Sequence, residues 1–208
     1  MMEARHTSTS ERRQAQLDAL VDAAERRIAT GGIKALKARD LAAEIGIALG
    51  GLYNLVPDLD ELALRVSSRT LNRLGEALTA TADRWPLATP DDAVNRLVAI
   101  AQAYLAFARG NLSLWRTLFE LRLAGDAVLP EWAANDQLRL FHHIAEPLAV
   151  LLPQQTEAGR GLTARTLFAA VHGIVVIGLE DRLIAVPPQA LNAQIEWLVR
   201  ATCRGFST

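Results

Sequence analysis

The apolar positions Leu17, Leu20, Val21, Ala24 and Ile28 advance by three and four residues, as one face of an α-helix does. Ser8 with Glu11 three places on has the form of a capping box, and Gly31-Gly32 marks a stop, so a first helix is predicted between them. A shorter helix fits Ala38 to Glu44, with Leu41, Ala42 and Ile45 inward and Gly46 as the C-terminal glycine. A third short segment starts at Ile47 and passes through Gly50, Gly51, Leu52 and Tyr53. Pro57 closes it, because proline cannot continue the helical hydrogen-bond ladder. Asp58 and Glu61 form a second capping box and open a long helix through Leu62, Val66, Leu71, Leu74 and Leu78.

Farther along, Thr89-Pro90-Asp91-Asp92 combines a cap, a first-turn proline and early acids, and apolar residues continue from Val94 to Phe107 until Gly110. Further helices are predicted at Ser113 to Ala124, Glu131 to Leu152, Thr163 to Ile184 and Gln189 to Phe206, separated by Gly125, Pro130, Pro153 and Pro187-Pro188. Pro147 should kink or divide the stretch it lies in, and Gln154 to Gly161 reads as an exposed loop. The expectation is an all-α chain of about nine helices.

Composition agrees with that reading. Ala, Leu, Arg and Glu dominate the 208 residues, aromatics are 5%, and runs of β-branched residues are short. The richest apolar run, Ile174 to Ile177, is followed by Gly178, Glu180 and Asp181, short of the roughly 20 apolar residues of a membrane span. Residues 1–9 carry no apolar signal-peptide core and read as a flexible arm on a cytoplasmic protein with no membrane partner. The single cysteine, Cys203, excludes an internal disulfide and gives no metal cluster. Net charge is −1. Lys34 and Lys37 lie near Arg26, Arg27 and Arg39, but Asp40 and Glu44 are interleaved with them, so bulk charge alone does not mark a nucleic-acid binder.

Two short helices joined by a tight turn and braced by a preceding helix make the tri-helical unit that inserts its last helix in a DNA major groove. Its residues, Ala23-Ala24, Gly32, Arg39-Asp40-Leu41-Ala42, Ile45-Gly46-Ile47, Gly51-Leu52-Tyr53 and Glu61-Leu62, resemble the N-terminal signature of TetR-family transcriptional regulators, from Leu17 to Leu62 without a gap. Tyr104 to Ala108, Leu114-Trp115-Arg116 and Val171-His172-Gly173 are similar to one class of that family's ligand-binding domains. The resemblance implies a helix-turn-helix DNA-binding domain over 10–57 and a helical ligand-binding and dimerisation domain over 58–208. It implies phosphate contacts from Arg39 and Tyr53, which position without reading sequence. The recognition face would be Ala48, Leu49, Gly50 and Asn54, with Asn54 able to bond a base edge and Ala48 and Leu49 to pack on a thymine methyl. The chain departs from the family's usual hydroxyl residues at Lys37 and Ala48, its aromatic pair at Leu55 and Val56, and its lysine at Leu59. Helix two so loses a capping hydroxyl and helix four a cation, part of which Lys37 replaces.

In the C-terminal part, Tyr104, Phe107, Trp115, Phe119, Arg122, Phe141, His142, Phe168 and His172 supply aromatic and polar groups on apolar helices, either as core or as a pocket for a small apolar or aromatic effector. Gly173 and Gly178 suggest close helix contact. A homodimer is expected through the last two helices, with Val171, Val175, Gly178, Leu179, Ile195 and Leu198 at the interface beside Val199. A repressor released from operator DNA by its effector follows, with the helix from Asp58 to Leu78 as the lever.

Two other classes compete. His142-His143 with Glu146 is the best candidate for catalysis or metal binding, but a helical di-metal site needs more inward carboxylates, and no phosphate loop or nucleophile elbow is present. Neither an enzyme nor a cofactor is expected. A dimeric interaction or ligand-binding protein with a degenerate helix-turn-helix is the alternative, favoured by Lys37, Ala48 and Leu59.

Overall fold

The computed structural model describes residues 3–120, 130–180 and 185–207. Nine α-helices and no strand occur among them. They run α1 (Glu3–Gly31), α2 (Ala38–Glu44), α3 (Leu49–Leu55), α4 (Leu59–Ala82), α5 (Pro90–Gly110), α6 (Leu112–Glu120), α7 (Glu131–Leu151), α8 (Glu157–Gly178) and α9 (Leu191–Arg204). The chain forms two compact units: Met1–Leu71 with Asn111–Ala133, and Asn72–Gly110 with Ala134–Thr208. The first unit therefore takes in the opening half of α4 and all of α6, beyond a helix-turn-helix domain ending at residue 57.

In the first unit, Leu17, Leu20, Ala24 and Ile28 of α1 pack with Leu41, Leu52, Val56, Leu62 and Val66, and Leu114 of α6 joins the same cluster. The turn between α2 and α3 is fixed by backbone chemistry. Gly46 has φ of 72°, its N–H donates to the Ala43 carbonyl at 3.2 Å, and the Ile47 N–H donates to Ala42 at 2.9 Å. This is a Schellman motif, and its left-handed residue is the glycine expected there. Asp58 Oδ1 accepts from the Glu61 N–H at 2.7 Å and caps α4, while the Glu61 side chain pairs with Arg65. α1 opens at Glu3, so Ser8 and Glu11 lie inside the helix and not at its start.

The second unit is built on α5, α8 and α9, which pack on one another. Thr89 and Asp92 cap α5 reciprocally: the Thr89 N–H donates to Asp92 Oδ2 at 2.9 Å and the Asp92 N–H to Thr89 Oγ1 at 3.1 Å. Gly178 is needed at the end of α8, because a Cβ there would lie 2.3 Å from Leu191 Cδ2 of α9. The same expectation for Gly173 is not met within the chain, where a Cβ would meet nothing within 4 Å.

Three expected boundaries need correction. Gln154 to Gly161 is not a loop: Thr156 caps α8, its side chain accepting from the Gly159 N–H at 3.1 Å, so the helix starts at Glu157. α8 also stops at Gly178 instead of reaching Ile184, which lies outside the described residues. α7 runs undivided through Pro147, so of the kink or division expected there the division does not occur. α8 is long and apolar enough to cross a membrane by length and composition, with a mean hydropathy of 1.5, and 28% of that window is buried within the chain.

Candidate DNA-binding and effector sites

α3 has two sharply different faces. Leu52 is fully buried and Leu55 nearly so, while Leu49 and Tyr53 stand 37% and 49% exposed. Ala48, Gly50 and Asn54 are exposed as well, and so are Lys37 and Arg39 at the start of α2. All seven residues expected at a DNA interface thus reach solvent on one helix-turn-helix. Lys37 occupies the N-cap of α2 and Ala48 that of α3, neither with a side-chain cap, as their residue types require.

The charges divide into paired and unpaired groups. Glu44 bridges Arg26 and Arg27, each at 2.9 Å, and Arg27 also reaches Asp40 at 3.5 Å. Hydrogen bonds from Arg26 and then Arg27 hold the Glu44 carboxyl below the usual carboxylate range. These arginines fasten α1 to α2. Arg69 of α4 bonds Asp22 and lies 3.9 Å from Asp18 and 3.8 Å from Glu25, all on α1. Lys34, Lys37 and Arg39 make no ion pair among the described residues.

Sequence reasoning missed Arg13. Its guanidinium donates to the Asn54 carbonyl at 3.1 Å, at the C-terminal end of α3, which has no basic residue of its own in the last turn. Periodicity holds no signal for a bond between residues 41 apart.

In the second unit, four of the expected pocket residues form one connected group. The rings of Tyr104 and Phe168 lie 5.7 Å apart, Phe141 and Phe168 5.4 Å, and Phe168 stacks on His172 at 5.3 Å. The Tyr104 hydroxyl and His172 Nδ1 are 2.8 Å apart, within hydrogen-bond distance. Phe107 is half-buried. His142 is exposed with its ring 6.5 Å from His143, away from that group. Trp115 and Phe119 pair with each other at 5.4 Å in the first unit, and Arg122 lies outside the described residues. Glu146, considered as a metal ligand, instead accepts from Arg96 at 2.9 Å.

Burial holds His172 below its usual pKa. The unfolded chain then takes up the proton first, so stability should fall as pH drops below about 6.5 and level off once the folded histidine is also protonated. Melting temperatures at pH 7.5 and 5.5 should differ less in His172→Asn than in the parent. An identical pH dependence in both would remove His172 from the account.

Four of the six expected interface residues sit inside the subunit. Val175 and Ile195 are fully buried, Val171 and Gly178 nearly so, and Leu179 and Leu198 are half-buried. Val171, Val175 and Ile195 are already covered by their own subunit, while Leu179 and Leu198 keep part of their surface. The exposed apolar face lies on the opposite side: Leu162 at 65% and Ile177 at 41% on α8 with Ala169 and Gly173 between them, and Trp197 at 62% on α9. A helical wheel carries this signal, since Trp197 and Ile195 are two residues apart and 200° around.

The first unit carries a helix-turn-helix, and the described residues of the second are built on α-helices. The family model described as tetracyclin repressor-like, C-terminal domain, matches residues 97–202. Among solved structures, a protein of unknown function from Rhodococcus sp. RHA1 is 20% identical, with 92% of this chain and 93% of that one covered and a TM-score of 0.67. A TetR transcriptional regulator from the same organism is 16% identical over 90% and 95%, with a TM-score of 0.64. The TetR-family regulator PfmR from Thermus thermophilus is 17% identical over 87% and 97%, with a TM-score of 0.58. No curated protein matches the sequence. The chain belongs to the TetR family, whose members are DNA-binding transcriptional regulators and not enzymes.

Proposed function

We propose that this regulator is a homodimeric repressor that leaves its operator when a small apolar or aromatic molecule enters the second unit. The exposure of Leu49 and Tyr53 on a helix whose opposite face is fully buried carries the DNA-binding half of this reading. Large side chains held at the surface on a rigid short helix are suited to a groove, with Asn54 as the one hydrogen-bonding reader of bases and Tyr53 and Arg39 on phosphates. The group of Tyr104, Phe141, Phe168 and His172 supports the effector half, since it offers aromatic surface with one polar pair. Leu162, Ile177 and Trp197 supply the face for a second copy. α4 belongs in part to each unit, so a ligand preferring another spacing of the two recognition helices would lower operator affinity through it.

An electrophoretic shift with DNA from beside the protein's own gene tests this. Tyr53→Phe should weaken binding about tenfold, the scale of one hydrogen bond to a charged group. Arg39→Ala should weaken binding and flatten its salt dependence by about one phosphate contact. Both variants should melt like the parent, because both side chains are exposed. Unshifted DNA with the parent protein would favour the alternative, an interaction protein with a degenerate helix-turn-helix, to which the acidic start of α4 at Asp58, Asp60 and Glu61 also points.

A further inference from the structure

Between Arg26 and Arg69 only Lys34, Lys37 and Arg39 make no ion pair among the described residues, a thin phosphate footprint. Arg26 and Arg27 are neutralised by Glu44 and Asp40, Arg65 by Glu61, and Arg69 by the acids of α1. The start of α4 is acidic, with Leu59 between Asp58 and Asp60. Duplex DNA nevertheless demands several cations, because counterion release from phosphates supplies most of non-specific affinity.

The stretch of α1 from Ser10 to Ala15 supplies two, Arg12 and Arg13. From Ser10 to Ala15 every residue is exposed, and burial begins only at Leu17, so this stretch of helix is held by no core of its own. A surface helix with no apolar stripe needs a partner or a solvent role to account for its length. Its position is fixed by Arg13, which is one turn before Leu17 on the same face and bonds the Asn54 carbonyl. The Arg13 contact thereby places the opening of α1 beside the C-terminal end of the recognition helix, next to the exposed Tyr53 and Asn54. Arg12 is its exposed neighbour and makes no ion pair among the described residues.

We propose that the exposed stretch of α1 from Ser10 to Ala15 is part of the DNA interface, with Arg12 engaging a backbone phosphate flanking the groove and Arg13 positioning the recognition helix. The partner is the phosphate backbone of duplex DNA, and the inference rests on the DNA-binding reading above. Arg13 adds a cation at the carbonyl end of α3, where charge favours the helix dipole and satisfies a terminal acceptor. Arg12 adds affinity without sequence information.

Binding of the full chain to a generic duplex and to DNA from beside its own gene, each between 50 and 200 mM salt, tests this. Arg12→Gln should lower the slope of log K against log salt by about 0.9, so that the variant's deficit shrinks roughly threefold across that range, with an unchanged melting temperature. Arg13→Gln should lower affinity on both duplexes, and Arg13→Lys should recover part of the loss by keeping a cation at the Asn54 carbonyl. Glu11→Gln, which removes an exposed like charge to phosphate, should strengthen binding. A parent-like salt slope in Arg12→Gln on both duplexes would overturn the inference while leaving the DNA-binding reading standing. A parent protein that binds neither duplex would overturn both.

Discussion

Ile177→Arg should leave each subunit folded, dissociate the dimer and weaken operator binding by about two orders of magnitude or more. Ile177 is 41% exposed on the apolar face of α8, so arginine there has solvent in the free subunit and loses it only against a second copy. Burying that unpaired charge in the interface costs several kcal/mol. Operator affinity falls with it because two linked reading heads gain about 100-fold to 10,000-fold over one by effective concentration. Two half-sites one helical turn apart, about 34 to 36 Å, can be read together only by a dimer. The same charge at Val175 reports something else, because Val175 is fully buried among the helices of its own subunit and its replacement unfolds the second unit. Sedimentation at micromolar concentration separates the cases: a folded monomer is expected for Ile177→Arg. A folded Ile177→Arg protein that still sediments as a dimer would place the interface elsewhere.

The difference between Val175 and Ile177 also shows where the sequence was legible. Apolar spacing identified α2 to the residue, and Gly46 announced its Schellman turn, because both signals are local. The same spacing placed α8 and α9 together, but both faces of α8 are apolar, and hydrophobicity alone does not say which face meets its own chain. Thr156 was readable as a cap followed by Glu157, and was obscured by the glycines at 159 and 161 that look like loop residues. The proposed DNA face rests on the resemblance of Arg39 to Tyr53 to a known pattern, and the exposure of both side chains agrees with it. The pairing of Arg26 and Arg27 with Glu44, and the bond from Arg13 to Asn54, were not legible, because side-chain bonds between helices depend on crossing geometry. The separation of Trp115 and Phe119 from Tyr104 and Phe168 into different compact units has the same origin: neighbours in sequence across Gly110 need not share a core.

Leu52→Ala, one residue from Tyr53, should remove DNA binding by another route. Alone, α3 is a weak helix of seven residues containing Gly50 and Gly51, with no side-chain cap at Ala48. Each glycine costs about 1 kcal/mol against alanine, and an isolated helix this short does not persist in water. Docking of its buried face holds it in place: Leu52 is fully buried in the cluster formed by α1, α2 and the start of α4, with Leu55 beside it. Truncating Leu52 should cost about 2 to 5 kcal/mol, offset only by the few tenths that alanine gains in helix propensity. That loss is a large fraction of the stability of an ordinary domain. The melting temperature should therefore drop and binding should be lost on every DNA sequence. Tyr53→Phe, by contrast, should melt like the parent and lose affinity alone. Thermal melts and DNA shifts run on both variants check the pair. A Leu52→Ala protein with parent-like stability and operator affinity would mean that α3 does not depend on this core for its place at the surface.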